Sequence, residues 1–201
     1  AALNRGFKIS FESAAGDLSV AGPGAEGAKF LAVLQGLTEN GKPLYYRTFN
    51  AVAARATRTT HLHPGGNLGL NLEGSNLVAY VWDGGAIRTT HVEFGKRASM
   101  GDGASGYNGL GSDHATHVTG TMIAAGVDPA AKGMAPKANA IAFDWDNDKS
   151  EVASAALNGM LVSNHSYGFM VRHPVTGRPL LPPSYFGGYL RESRSWDEIM
   201  H

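Results

Sequence analysis

Three short runs are apolar at nearly every position: Leu77–Trp82 (LVAYVW), Ala138–Phe143 (ANAIAF) and Met160–Val162. A strand with one wet face alternates apolar and polar residues, so unbroken runs belong to a parallel sheet with helices on both faces. Helical stretches separate them. His114–Ala125 follows the N-cap candidates Ser112 and Asp113, and Glu151–Met160 follows Ser150. Strands alternating with helices predict an α/β fold with right-handed crossovers. Near the end, Leu190, Trp196 and Ile199 fall at helical intervals, with no Gly, Asn or Pro stop after them.

The first 45 or so residues read differently. KISF, residues 8–11, predicts a short strand, and GPGAEG, residues 22–27, a turn. Ala28–Leu37 (AKFLAVLQGL) predicts a helix that stops before the turn signal Asn40-Gly41. Residues 1–42 are therefore expected to form an N-terminal extension or a propeptide remnant, and residues 43–201 the main domain.

Composition narrows the function classes. Among 201 residues, 17 Lys and Arg balance 17 Asp and Glu, which argues against a protein held on nucleic acid by counterion release. Arg47, Arg55 and Arg58 come without an aromatic platform and read as wet surface. Glycine, 27 residues, is about twice its usual share of ~7%, so loops are abundant. The absence of cysteine excludes disulfide scaffolds, Cys-ligated zinc and thiol catalysis. No run approaches the ~18 apolar residues of a membrane span, and the start lacks a secretory signal, so a soluble chain with no membrane partner is expected, any export signal having been removed.

Candidate chemistry sits where open α/β sheets put it, beyond the carboxyl ends of strands. Asp83 follows LVAYVW at once, within Asp83-Gly84-Gly85. His114 opens a predicted helix, with His117 one turn on. Taken singly, each has a plainer reading, an Asp-Gly turn and a helix-start histidine.

Together they resemble the subtilisin-like serine proteases, in which a strand ends in Asp-Thr/Ser-Gly and a later helix opens with His-Gly-Thr-His-Val-Ala-Gly-Thr. Here the matching residues are Asp83-Gly84-Gly85 and His114-Ala115-Thr116-His117-Val118-Thr119-Gly120-Thr121. Glu73-Gly74-Ser75-Asn76-Leu77-Val78-Ala79 resembles the family's lead into the Asp strand, and Thr89-Thr90-His91-Val92-Glu93-Phe94 the segment after it. Gly133-Met134-Ala135-Pro136 resembles Gly-Val-Ala-Pro, and Asn164-His165-Ser166-Tyr167-Gly168 resembles Asn-Met-Ser-Leu-Gly. These patterns keep the family's order.

The resemblance implies a subtilisin-like three-layer α/β fold with a mostly parallel sheet. It implies a serine endopeptidase working through an acyl-enzyme, with Asp83 as the triad carboxylate and His114 as general base. His117 is expected to be structural and buried, and His91 to belong to its loop. Ser166, Tyr167 and Gly168 are expected to form the strand that pairs with an extended polypeptide substrate and walls its pocket. Gly84 and Ala115 depart mildly from the pattern. The larger departure is that no Gly-Thr-Ser-Met-Ala occurs, and Ser99-Met100, between Asp83 and His114, is a poor imitation. The oxyanion-hole asparagine is missing too. The expectation is thus the N-terminal part of a secreted, extracellular or cell-surface protease, with His201 a cleavage point or an artificial end. A second chain would supply serine and asparagine and complete the sheet. A cut helix at that end would expose apolar side chains.

Other readings are weaker. Zinc in a His-Glu-x-x-His helix needs histidines four apart with an intervening Glu, whereas His114 and His117 are three apart, even with His61 and His63 as added ligands. Gly22–Gly27 matches a dinucleotide fingerprint, but the pattern recurs at Gly101, Gly103 and Gly106, and Pro23 removes an amide. Asp144-Trp145-Asp146-Asn147-Asp148 starts like a calcium loop, but Lys149 and Ala155 break the EF-hand pattern. No cofactor is required by the resemblance, which leaves room for a structural calcium. The rival class is an inactive N-terminal fragment that only binds peptide or its partner chain.

Overall fold

The computed structural model describes residues 33–37, 43–46, 50–169, 171, 176 and 178–200. The chain divides into two compact units, residues 1–49 and 50–201, and the sequence boundary near Pro43 falls inside the first.

In the first unit Val33–Leu37 (β1) pairs antiparallel with Pro43–Tyr46 (β2), from Val33↔Tyr46 to Leu37↔Pro43. The end of the expected Ala28–Leu37 helix is thus a strand. The same Asn40-Gly41 signal that reads as a helix stop is also the strongest short hairpin signal, and Gly36 disfavours helix. Pro43 sits at the first position of its strand, where its missing N–H is tolerated. The expected KISF strand, the Gly22–Gly27 turn and residues 28–32 lie outside the described residues.

The second unit opens with helix α1, Asn50–Ala56. Next come β3 (Val78–Asp83), β4 (Ala98–Met100), α2 (Leu110–Ile123) and β5 (Asn139–Asp144). It closes with α3 (Asp148–Leu157), β6 (Ser163–His165) and α4 (Arg191–Met200). The four strands lie in the order β4-β5-β3-β6, and every neighbouring pair is parallel. This is the α/β class that the apolar runs predict. No helix among the described residues is long and apolar enough to cross a membrane.

Boundaries differ for local reasons. α2 starts at Leu110 behind Gly109, because Ser112 is occupied inside the first turn by Asn108 rather than acting as the cap. α3 starts at Asp148 behind Asn147, whose φ is 62°, and Ser150 donates its hydroxyl to Asn147 O from within the helix. The third strand forms just beyond Met160–Val162, with Tyr80↔Ser163 and Trp82↔His165 in register. β4 has only Ala98, Ser99 and Met100, too short to show an apolar run.

Strand alternation sorts the core into two faces. Ala79 and Val81 point toward α2, where they pack with Ala140, Ala142, Phe94, Ala115 and Ile123. Tyr80 and Trp82 point the other way and join Val152, Ala155, Phe143, Trp196 and Ile199, from β5, α3 and α4. On that side the Phe143, Trp82 and His165 rings stack across three adjacent strands, with centroids 4.5 and 5.2 Å apart. Trp196 and Ile199 are thus partly covered, contrary to the expectation of exposed apolar side chains on the last helix, although Met200 is exposed.

Candidate functional site

Asp83 is the last residue of β3, two positions after Val81, so its side chain leaves the sheet on the α2 face. His114 stands in the second turn of α2, beside Ala115, which is fully buried against Val81 and Ala142. The Ala115 methyl group therefore fills core space. It also fixes the helix face, which brings His114 over the end of β3. His114 Nδ1 lies 2.7 Å from Asp83 Oδ1.

The two partners have opposite surroundings. Asp83 is 2% exposed, while about half of the His114 side chain, 51%, is accessible. Asp83 Oδ1 also accepts from the Gly84 N–H at 2.7 Å, whereas the buried Oδ2 has no hydrogen-bond partner among the described residues. A buried carboxylate accepting from Nδ1 fixes the ring with Nδ1 protonated and leaves Nε2 as the basic nitrogen. Among the described residues Nε2 makes no hydrogen bond. Half-exposed and unengaged, it is able to take a proton from a hydroxyl placed beside it.

Ser166–Gly168 come directly after β6, whose last pair is Trp82↔His165, so Ser166 stands one step past that pair at the same sheet end as Asp83. Ser166 and Gly168 are exposed, and Ser166 Oγ accepts from Asn164 Nδ2 at 2.8 Å. The three residues are not strand in this structure; β6 ends at His165. Tyr167 packs its ring on the Trp82 cluster and donates its hydroxyl to Asp148 Oδ2 at 2.7 Å. Burial first, then Asp148, raises the Tyr167 pKa, so the phenol stays protonated. With its proton committed to Asp148, Tyr167 accepts from His165 Nδ1 at 3.0 Å.

His117 is exposed on α2, which corrects the expectation of a buried structural histidine. Three residues carry it round the helix from His114, off the core-facing stripe that holds Ala115 and Thr119. Partial desolvation, then the nearby His114, lowers its pKa. Ser99 lies within β4, two strands from β3, opposite Ile141 rather than at the strand ends. His63 is buried, with Nε2 2.8 Å from Met134 O. Around the acidic loop, Asp144 Oδ1 accepts from Asp146 N and Asp102 Oδ2 from Asp144 N, so carboxylates shape its turns. Among the described residues no three His, Asp or Glu side chains converge as a metal would require.

Two neighbours of the site escaped the sequence reading. Trp145 packs against Gly84, and Asn108 bridges Gly84 and Ser112. Asn108-Gly109 is a turn signal visible in the sequence, but nothing there says that the turn grips the Asp83 loop. The sequence matches no protein-family model and no curated protein.

Proposed function

We propose that this chain carries the acid and base of a subtilisin-like Ser-His-Asp endopeptidase. The carrying observation is the buried Asp83 carboxylate, 2.7 Å from Nδ1 of a half-exposed His114, at the carboxyl end of a central parallel strand. The ordered sequence patterns from Glu73 to Gly168 add to it. The nucleophilic serine and the oxyanion-hole asparagine come from a second chain, which also extends the sheet into the full subtilisin-like fold. The setting is secreted, extracellular or cell-surface, and the substrate is extended polypeptide.

In the assembled enzyme His114 Nε2 takes the serine proton as Oγ bonds the scissile carbonyl carbon and the carbonyl electron pair moves to oxygen. Asp83 stabilises the resulting imidazolium and keeps the ring from turning. Collapse breaks the C–N bond, and the amine leaves with the proton from Nε2. Water then repeats the sequence on the acyl-enzyme and frees the serine. Ser166 and Gly168, exposed beside β6, lie along the path of the substrate backbone.

One observation favours a second reading, a fragment that binds peptide or its partner chain without cleaving: among the described residues no hydroxyl bonds His114 Nε2. Native mass spectrometry with a serine-reactive phosphonate probe separates the two. A labelled second chain in complex supports the protease. The 201-residue chain alone and unlabelled supports binding only.

A further inference from the structure

The loop after β3 and the start of α2 meet at one side chain. Asn108 Nδ2 donates to Gly84 O at 2.8 Å, while its Oδ1 accepts from Ser112 N at 2.7 Å and from Ser112 Oγ at 3.0 Å. Ser112 Oγ in turn accepts from Asn108 N at 3.1 Å. One amide thus ties the residue directly after Asp83 to the residue two before His114.

The surrounding glycines make this closeness achievable. A Cβ on Gly111 would strike Gly84 O, and a Cβ on Gly85 would strike the Asn108 amide. Helix and turn are therefore in backbone contact, and among the described residues only Asn108 fastens that separation with side-chain hydrogen bonds in both directions. A second tie, Arg88 N to Thr116 Oγ1 at 2.9 Å, braces the outer part of the same loop.

We propose that Asn108 is a positioning residue for the Asp83–His114 pair. This role rests on the triad reading above. It acts through backbone: Gly84 N–H is held against Asp83 Oδ1, and the helix start is held so that His114 Nδ1 reaches the same oxygen. A hydrogen bond fixed at both ends of so short a path leaves little room for the carboxylate to swing or the helix to slide. Loosening it lets the pair sample longer separations without dismantling the core, which lies deeper along α2 at Ala115, Thr119 and Ile123.

The test uses the full 201-residue chain and Asn108→Asp, which keeps the shape and the acceptor for Ser112 but has no donor for Gly84 O. Nitrogen-15 NMR of the histidine rings reports the His114 tautomer and its hydrogen-bonded Nδ1 proton. Asp83→Asn identifies the signal, and Asn158→Asp, at the far end of α3, controls for general loosening. The expected result is that Asn108→Asp loses or broadens the His114 Nδ1 proton signal, whereas Asn158→Asp keeps it. With the second chain present, kcat falls about tenfold at unchanged KM. An unaltered His114 signal and unaltered kcat in Asn108→Asp overturn the positioning role. If the wild-type chain itself lacks an Asp83-dependent Nδ1 proton, the triad reading fails instead. Asn108→Ala removes both ties and is expected to act more strongly; should it fail to fold, the isosteric variant still decides.

Discussion

Trp145 packs so close to Gly84 that a Cβ added there would stand 3.2 Å from two of its ring carbons and 3.2 Å from Gly111 Cα. A side chain at position 84 thus fits only if the Trp145 ring or the Gly111 backbone gives by a few tenths of an ångström. Asp83 Oδ2 is buried without a partner among the described residues. The crowding at Gly84 comes from the Trp145 ring in the β5–α3 loop and from the Gly111 backbone together.

Gly84→Ser is therefore expected to lower stability by about 1–3 kcal/mol through overpacking. In a Trp145→Ala background the added cost is expected to shrink, because the ring carbons are gone and only the Gly111 contact remains. A double-mutant cycle from denaturant melts measures this coupling; strictly additive effects contradict it.

In the proposed assembled enzyme, His114→Ala is expected to lower kcat by about 10⁶ and Asp83→Asn by roughly 10⁴, with substrate binding retained. His117→Ala, at an exposed position, is expected to shift stability by no more than about 0.5 kcal/mol. Amidolysis assays and melting curves on the three variants check the assignment. Full activity in His114→Ala contradicts it.

His165 is stacked on Trp82, in edge contact with Trp196, and hydrogen-bonded to Tyr167. Burial lowers its pKa below the usual 6.5, partly opposed by Asp148. A lowered value in the folded state means that its contribution is present above 6.5 and is lost as pH falls through the lowered value. Acidification is thus expected to loosen α4 before the rest of the sheet. Tryptophan fluorescence across that window detects the change, and His165→Phe abolishes it.

Glu93 is buried, with its carboxylate accepting from the backbone N–H groups of Gly126, Val127 and Asp128. Burial alone would raise its pKa, but the three donors together bring it below 4.5. Glu73, beside Lys137 and Lys132, is lowered as well. Both contribute stability above 4.5 that disappears as pH drops through their depressed values. Glu93→Gln is expected to cost about 1–3 kcal/mol at neutral pH and to flatten the acid limb of a stability–pH curve.

The sheet was readable because β3 and β5 are apolar on both faces, and parity along β3 then placed Asp83 on the face of α2. The hairpin was not, because Val33–Leu37 suits either period and its partner strand decides. β4 was too short to leave a pattern. His117 misled because helix spacing alone gives no direction toward the core, whereas the buried Ala115 and Thr119 do. Asn108 and Trp145 act across loops, and loop contacts leave no periodic trace in a sequence.

The aromatic face of the sheet also sets a schedule for the newborn chain. Trp82 finds the Glu151 carboxylate, to which its Nε1 donates at 3.0 Å, only 69 residues downstream, and Trp196 arrives later still. At roughly 5–20 residues per second on the ribosome, Tyr80 and Trp82 wait several seconds without α3 and α4 to cover them. Such distant pairing slows folding and exposes sticky surface. The stretch left uncovered for that long is β3, next to the aspartate on which the proposed chemistry depends.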